Sequence, residues 1–216
     1  VVIVVCKGCV DRVVKQYAKL YPHLQWRLGV STLYNKHPHR SLNMIDQQSG
    51  HLYWGAVPTV IDSRVQNQKL QLTAIENELI AQDFHKLFSI ESQIVERYCR
   101  KWIFDVTIES LCVARNLPKL GLLLDDIKEL KEVFFESLKL SEQLWGSWCG
   151  KYDKIFDELL VHIAKSFEVP SELWLTSQMG QKIKWDYLIG QAAHYRGYEL
   201  LKTYIKRLES RNNTVG

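Results

Sequence analysis

The amino-acid sequence predicts an α+β protein, with a small α/β domain over residues 1–87 followed by an all-α domain over residues 88–216. Three observations predict it. The chain opens on "VVIVV", a run of β-branched residues that suits a pleated, buried strand. Alternating apolar residues and turn signals recur up to about residue 72. From Thr73 onward the apolar period becomes that of a helix, and no strand pattern returns. A length of 216 residues allows one large domain or two small ones, each with its own core.

In order along the chain, "VVIVV" is a strand, and residues 10–20 form a helix with Val10, Val13, Val14, Tyr17 and Leu20 on its apolar face. Pro22 ends that helix. "LQWRLGVSTLY" alternates as a strand does, and "LNMIDQQSGHLYW" places two apolar arms around Ser49-Gly50, the pattern of a β-hairpin. "PTVID" and "KLQL" are two further strands joined by "SRVQNQ". "TAIENELIAQDFHKLF" is an amphipathic helix, and four longer helices follow, over 91–115, 119–146, 152–167 and about 181–209. Ser171 is a suitable N-cap for a short helix after "VPSE".

Composition narrows the function classes. The chain is 46% hydrophobic and 24% charged, as a globular protein is. No apolar run reaches the roughly 18 residues of a membrane span. The chain opens without Met, as a processed product, a fragment or a non-standard start would, and lacks the basic flank of a secretory signal. Five unevenly spaced cysteines do not make a secreted disulfide framework, so a cytoplasmic protein with mostly reduced thiols is expected. The net charge of +4 is concentrated. From Gln181 to the end there are seven Lys/Arg against three acids, and the rest of the chain balances at 21 against 21.

The stretch "VVIVVCKGCV" carries the sharpest chemical pattern. Cys6 and Cys9 stand at C-x-x-C spacing where a strand gives way to a helix. At a helix N-terminus, unpaired N–H groups and the helix dipole stabilise a thiolate at Cys6. Cys9, one turn on, is placed to resolve a mixed disulfide. Two plainer uses stay open. The cysteines can be small buried residues, or they can join His37 and His39 of "NKHPHR" in a Cys2His2 set, although the intervening Pro38 and the absence of glycine-rich knuckles disfavour a metal.

The order strand, C-x-x-C, helix, strand, then Val57-Pro58-Thr59, two strands and a helix resembles the thioredoxin fold. With an all-α domain appended, it is similar to the glutathione-transferase branch of that superfamily. "KLQLTAIENEL" is similar to that branch's Ser/Thr-Ala-Ile-x-x-x-Leu segment, here Thr73 to Leu79. The resemblance implies a thiol–disulfide oxidoreductase or glutathione-dependent enzyme. Cys6 would be its nucleophile and Cys9 its resolving thiol, with Pro58, Thr59 and Thr73 beside a thiol or disulfide substrate and glutathione as the possible cofactor. The pair reads Cys-Lys-Gly-Cys without the family's usual proline, and the resemblance covers about 80 residues.

A competing reading leaves the cysteines silent. The same element order fits a ferredoxin-like or palm-like domain, which with a helical part following resembles subunits of CRISPR effector ribonucleoproteins. In that case the protein is a non-enzymatic subunit that binds nucleic acid and other protein subunits. Lys184, Arg196, Lys202, Lys206 and Arg207 of the basic last helix would then meet phosphates. Asp125 and Asp126 read as a solvated helix face, and no Gly-rich phosphate loop, G-x-S-x-G or H-E-x-x-H is present.

Overall fold

The computed structural model describes residues 2–5, 17, 19–24, 26–31, 52–56, 74, 77–78, 88–90, 94–145 and 152–171. The chain divides into two compact units, Val1–Tyr98 and Cys99–Gly216. The broad α+β character holds, with a sheet in the first unit and helices in the second.

In the first unit, strands β1 (Val2–Val5), β2 (Trp26–Ser31), β3 (Leu52–Ala56) and β4 (Phe88–Ile90) form one sheet in the order β1-β2-β3-β4. β1 runs parallel to β2, β2 antiparallel to β3, and β3 parallel to β4. Leu28 and Val30 are buried on one face of β2 and Arg27 on the other, so both faces of this strand are covered. Gly29 stands opposite Trp54, which pairs a residue without a side chain with the bulkiest one on the same face. Tyr53, the neighbour of Trp54, receives the guanidinium of Arg97 at 3.8 Å from its ring centroid.

Three sequence expectations change here. β3 is flanked by β2 and by β4 at residues 52–54, which leaves no free edge there for the expected hairpin arm before Ser49-Gly50. The helix expected through Phe88 has helical residues at Ala74, Asn77 and Glu78, but Phe88–Ile90 is a strand lying inside the segment expected to be all helical. A three-residue strand is too short to display its own period; its pairing with β3 makes it one. Tyr17 and Leu20, expected on the buried face of a helix that Pro22 ends, are helical but 43% and 63% exposed.

The second unit is built on helix α1 (Ile94–Arg115), whose residues 94–98 belong to the first unit, a 3₁₀ helix (Leu120–Asp126), α2 (Ile127–Trp145) and α3 (Tyr152–Lys165). α1 ends on a Schellman motif. Asn116 takes the left-handed conformation (φ 53°), Leu117 N donates to Cys112 O at 2.9 Å and Asn116 N to Val113 O at 3.3 Å. The expected single helix over 119–146 is a 3₁₀ helix followed by α2. The change falls at Asp126, whose carboxylate accepts a hydrogen bond from Glu129 N at 3.0 Å and so caps α2. That gives half of the "solvated" Asp125-Asp126 pair a structural task.

The core of this unit joins Trp102, Ile103, Val106, Ile108 and Leu111 of α1 to Leu130, Val133, Phe134 and Leu138 of α2 and to Ile155, Phe156, Leu159 and Ile163 of α3, all buried. Phe134 and Phe156 meet at 5.2 Å between centroids. A strap formed by residues 166–171 closes one end. Leu120 N donates to Val169 O at 3.1 Å and Gly121 N to Phe167 O at 3.0 Å, while Lys119 pairs with Glu168. A side chain at Gly121 would come within 2.4 Å of the Phe167 ring, which is why glycine stands there. Ser171 is held in this strap: its hydroxyl donates to Leu117 O and its N–H to Pro118 O.

Candidate functional site

Helix α1 is the unusual element. It is buried at nearly every position from Tyr98 to Cys112, and the buried positions include Asp105, Thr107, Glu109 and Ser110. A helix covered all round ordinarily carries only apolar residues, because each desolvated charge costs several kcal/mol unless it is paired. In "KWIFDVTIE" the charged residues Lys101, Asp105 and Glu109 recur every four residues. Each step of four turns about 40° around the helix, so the three form one ridge.

Geometry separates this ridge into an outer and an inner part. Lys101 Nζ lies 3.2 Å from both carboxylate oxygens of Asp105. The Lys101 side chain is 25% exposed and that of Asp105 5%, so a partly accessible ammonium is held by a buried carboxylate. Glu109, one turn deeper, is 0% exposed. Burial and the nearby Glu109 carboxylate push the Cys112 thiol up to about 12, which makes it inert as a nucleophile near neutral pH.

The buried hydroxyls of Thr107, Ser110, Ser137 and Ser141 are satisfied locally. Thr107 Oγ1 donates to Ser137 Oγ at 3.4 Å, and Ser137 Oγ to Val133 O at 2.9 Å. Ser110 and Ser141 donate to carbonyls of their own helices. Hydroxyls arranged in this way serve helix packing. Lys101 differs from them, because it combines charge, access and a fixed direction. An ammonium so held can contact a carboxylate or stabilise negative charge developing on a carbonyl oxygen. Sequence reading missed it; the signal was three charges at four-residue spacing inside an otherwise apolar helix.

The site residues singled out from sequence are not among the described residues. Cys6, Cys9, Pro58, Thr59 and Thr73, where a thiol substrate and glutathione were expected, lie outside the described residues, as do His37 and His39. So do Lys184, Arg196, Lys202, Lys206 and Arg207. Among the described residues no group of three or more potential metal ligands occurs, Cys99 and Cys112 are free and buried, and no helix is long and apolar enough to cross a membrane.

No protein-family profile matches the chain, and no curated protein is similar to it. Among solved structures the chain is similar to 2-dehydropantoate 2-reductase from Porphyromonas gingivalis W83, with 13% identity and a TM-score of 0.68. The likeness covers 95% of this chain and 62% of that one, so the chain spans about three-fifths of that reductase's length.

This likeness corrects the sequence reading. The fold is similar to that of this solved structure and is not thioredoxin-like or glutathione-transferase-like, nor specifically ferredoxin-like. The assignment as a C-x-x-C thiol–disulfide or glutathione-dependent enzyme falls with it. The ribonucleoprotein-subunit alternative loses its architectural basis as well, and the basic last helix that also motivated it lies outside the described residues. The physical reason is in the sheet. The expected strands "PTVID" and "KLQL" lie outside the described residues; among the described strands, β2 lies between β1 and β3, and β3 between β2 and β4. Strand patterns along a chain do not state which strands are neighbours, and the thioredoxin reading supplied an order the chain does not adopt.

Proposed function

We propose that this chain forms the substrate-holding part of a reductase acting on the carbonyl of a small 2-oxo acid. The observation that carries the reading is the Lys101–Asp105 pair, set in a fold whose solved likeness is a 2-dehydropantoate 2-reductase. A 2-oxo acid offers a carboxylate next to a carbonyl oxygen. The Lys101 ammonium has three donors, and Asp105 engages at most two of them. The third is available for a substrate oxygen, where the positive charge stabilises the negative charge that develops as the carbonyl is reduced. Asp105 fixes the direction of the ammonium.

Such a reduction also needs a hydride donor, and Rossmann-type folds seat a dinucleotide on a strand–turn–helix with closely spaced glycines. None of the eleven glycines of this chain stands two residues from another, so G-x-G-x-x-G is absent. The residues present do not fit a dinucleotide cradle, and the role assigned to this chain is confined to the substrate.

Calorimetric titration with pyruvate, the simplest 2-oxo acid, tests the reading. Binding should be measurable for the native chain and reduced at least tenfold in Lys101→Met, with the thermal unfolding transition retained. Equal affinity in the two proteins would remove Lys101 from the site.

A further inference from the structure

We infer that Lys101 is a nucleophile as well as a contact: its Nζ captures the carbonyl carbon of a 2-oxo acid as a reversible imine, and Asp105 carries the protons. This inference deepens the reading of Lys101 as the substrate contact and rests on it.

An amine that forms an imine needs access to its substrate and a base within hydrogen-bond reach. Lys101 has both. Its side chain is 25% exposed, and both oxygens of Asp105 lie 3.2 Å from Nζ. The two residues sit four apart on one helix, so neighbouring turns hold base and nucleophile together. The thiols and aliphatic hydroxyls of α1, on Cys99, Thr107, Ser110 and Cys112, belong to residues no more than 2% exposed. Lys101 is therefore the nucleophile of this helix that a small carbonyl compound can reach.

Surroundings set Lys101 apart from the other lysines too. Among the described lysines it alone is half-buried, and the rest are exposed. Lys119 also meets a carboxylate, that of Glu168, but the Glu168 side chain is 72% exposed against 5% for Asp105. A solvated carboxylate trades protons with water, whereas an enclosed one trades them with the group it faces.

The steps balance without an oxidant or reductant. Asp105 takes one proton from the ammonium, and the freed lone pair on Nζ forms a bond to the carbonyl carbon while the π pair moves to oxygen. Asp105 returns the proton to that oxygen, which gives a carbinolamine. It then takes a second proton from Nζ and delivers it to the hydroxyl. The C–O bond breaks, water leaves, and the nitrogen lone pair closes the C=N bond. An ammonium and a ketone have become a protonated imine and water. The carboxylate ends as it began, ionised beside one positive charge, so the buried Asp105 charge stays compensated. Water reverses every step and releases the 2-oxo acid intact.

Cyanoborohydride trapping tests this, because at neutral pH the reagent reduces imines and spares ketones. The native chain is incubated with pyruvate and cyanoborohydride, digested and mapped by mass spectrometry. One 1-carboxyethyl group should appear on Lys101 about a hundredfold faster than on Lys119. Asp105→Asn should slow labelling of Lys101 to the rate at Lys119; Asp105→Ser replaces it if near-UV circular dichroism shows lost packing. Labelling of native Lys101 no faster than Lys119 overturns the inference, whatever the variants do. Undiminished labelling in a packed Asp105 variant overturns the proton-carrying role. Calorimetric binding of pyruvate that depends on Lys101, without labelling, removes the imine and leaves the substrate contact standing. Absence of both binding and labelling removes both.

Discussion

Helices α1 and α3 have similar sequences in outline, each mixing apolar residues with acids and bases, yet they occupy opposite situations. α3 buries one stripe, Ile155, Phe156, Leu159 and Ile163, and leaves Asp153, Lys154, Asp157 and Lys165 exposed. α1 is covered on nearly all sides, with Asp105 and Glu109 inside. An exposed charge on α3, such as Asp153 or Asp157, is solvated and changes little in either direction. A charge on α1 has lost its water and persists only if something nearby compensates it. The same residue type is therefore a surface feature on one helix and a candidate functional group on the other.

Four measurements would break or sharpen this contrast. The largest effect is expected from truncating the core of α1. Trp102→Ala should cost about 3–5 kcal/mol in urea unfolding. Val161→Ala on α3, where the residue is 52% exposed, should stay within about 0.5 kcal/mol. Similar costs at the two sites would erase the distinction between the helices.

Next in size is the charge comparison. Asp105→Ala strips the Lys101 ammonium of its buried partner and should cost about 1–3 kcal/mol, toward the lower end because Lys101 is itself 25% exposed. Asp157→Ala, on the exposed face of α3, should be nearly silent. Asn116 ends α1 in the left-handed conformation, so Asn116→Ala should lose about 1 kcal/mol while Asn116→Gly loses little.

The smallest effect at neutral pH concerns Cys112, whose thiol is pushed up to about 12, first by burial and then by Glu109. The folded state keeps the proton that the unfolded chain releases from its ordinary value of 9.0 upward. The stability due to the protonated thiol is thus fully present below about pH 9 and is lost as pH rises toward 12. Cys112→Ala should flatten that part of the pH profile. A native thiol that alkylates readily at neutral pH would show that α1 is less enclosed than described.

By itself, the sequence determined what depends on neighbours along the chain. The helices expected over 91–115 and 152–167 are Ile94–Arg115 and Tyr152–Lys165, because apolar spacing of three and four residues commits a segment to helix wherever it lies. "VVIVV" and the centre of "LQWRLGVSTLY" are strands for the same local reason. Tertiary structure alone decided which strands adjoin, that Phe88–Ile90 joins the sheet, and that α1 is enclosed. Strand order is a choice among non-local pairings that the local pattern leaves nearly equal in energy. The chemistry follows from enclosure: Lys101, Asp105 and Glu109 read along the chain as an ordinary charged face. Only tertiary packing takes water from those charges, with Asp105 retained beside Lys101 as its counter-charge.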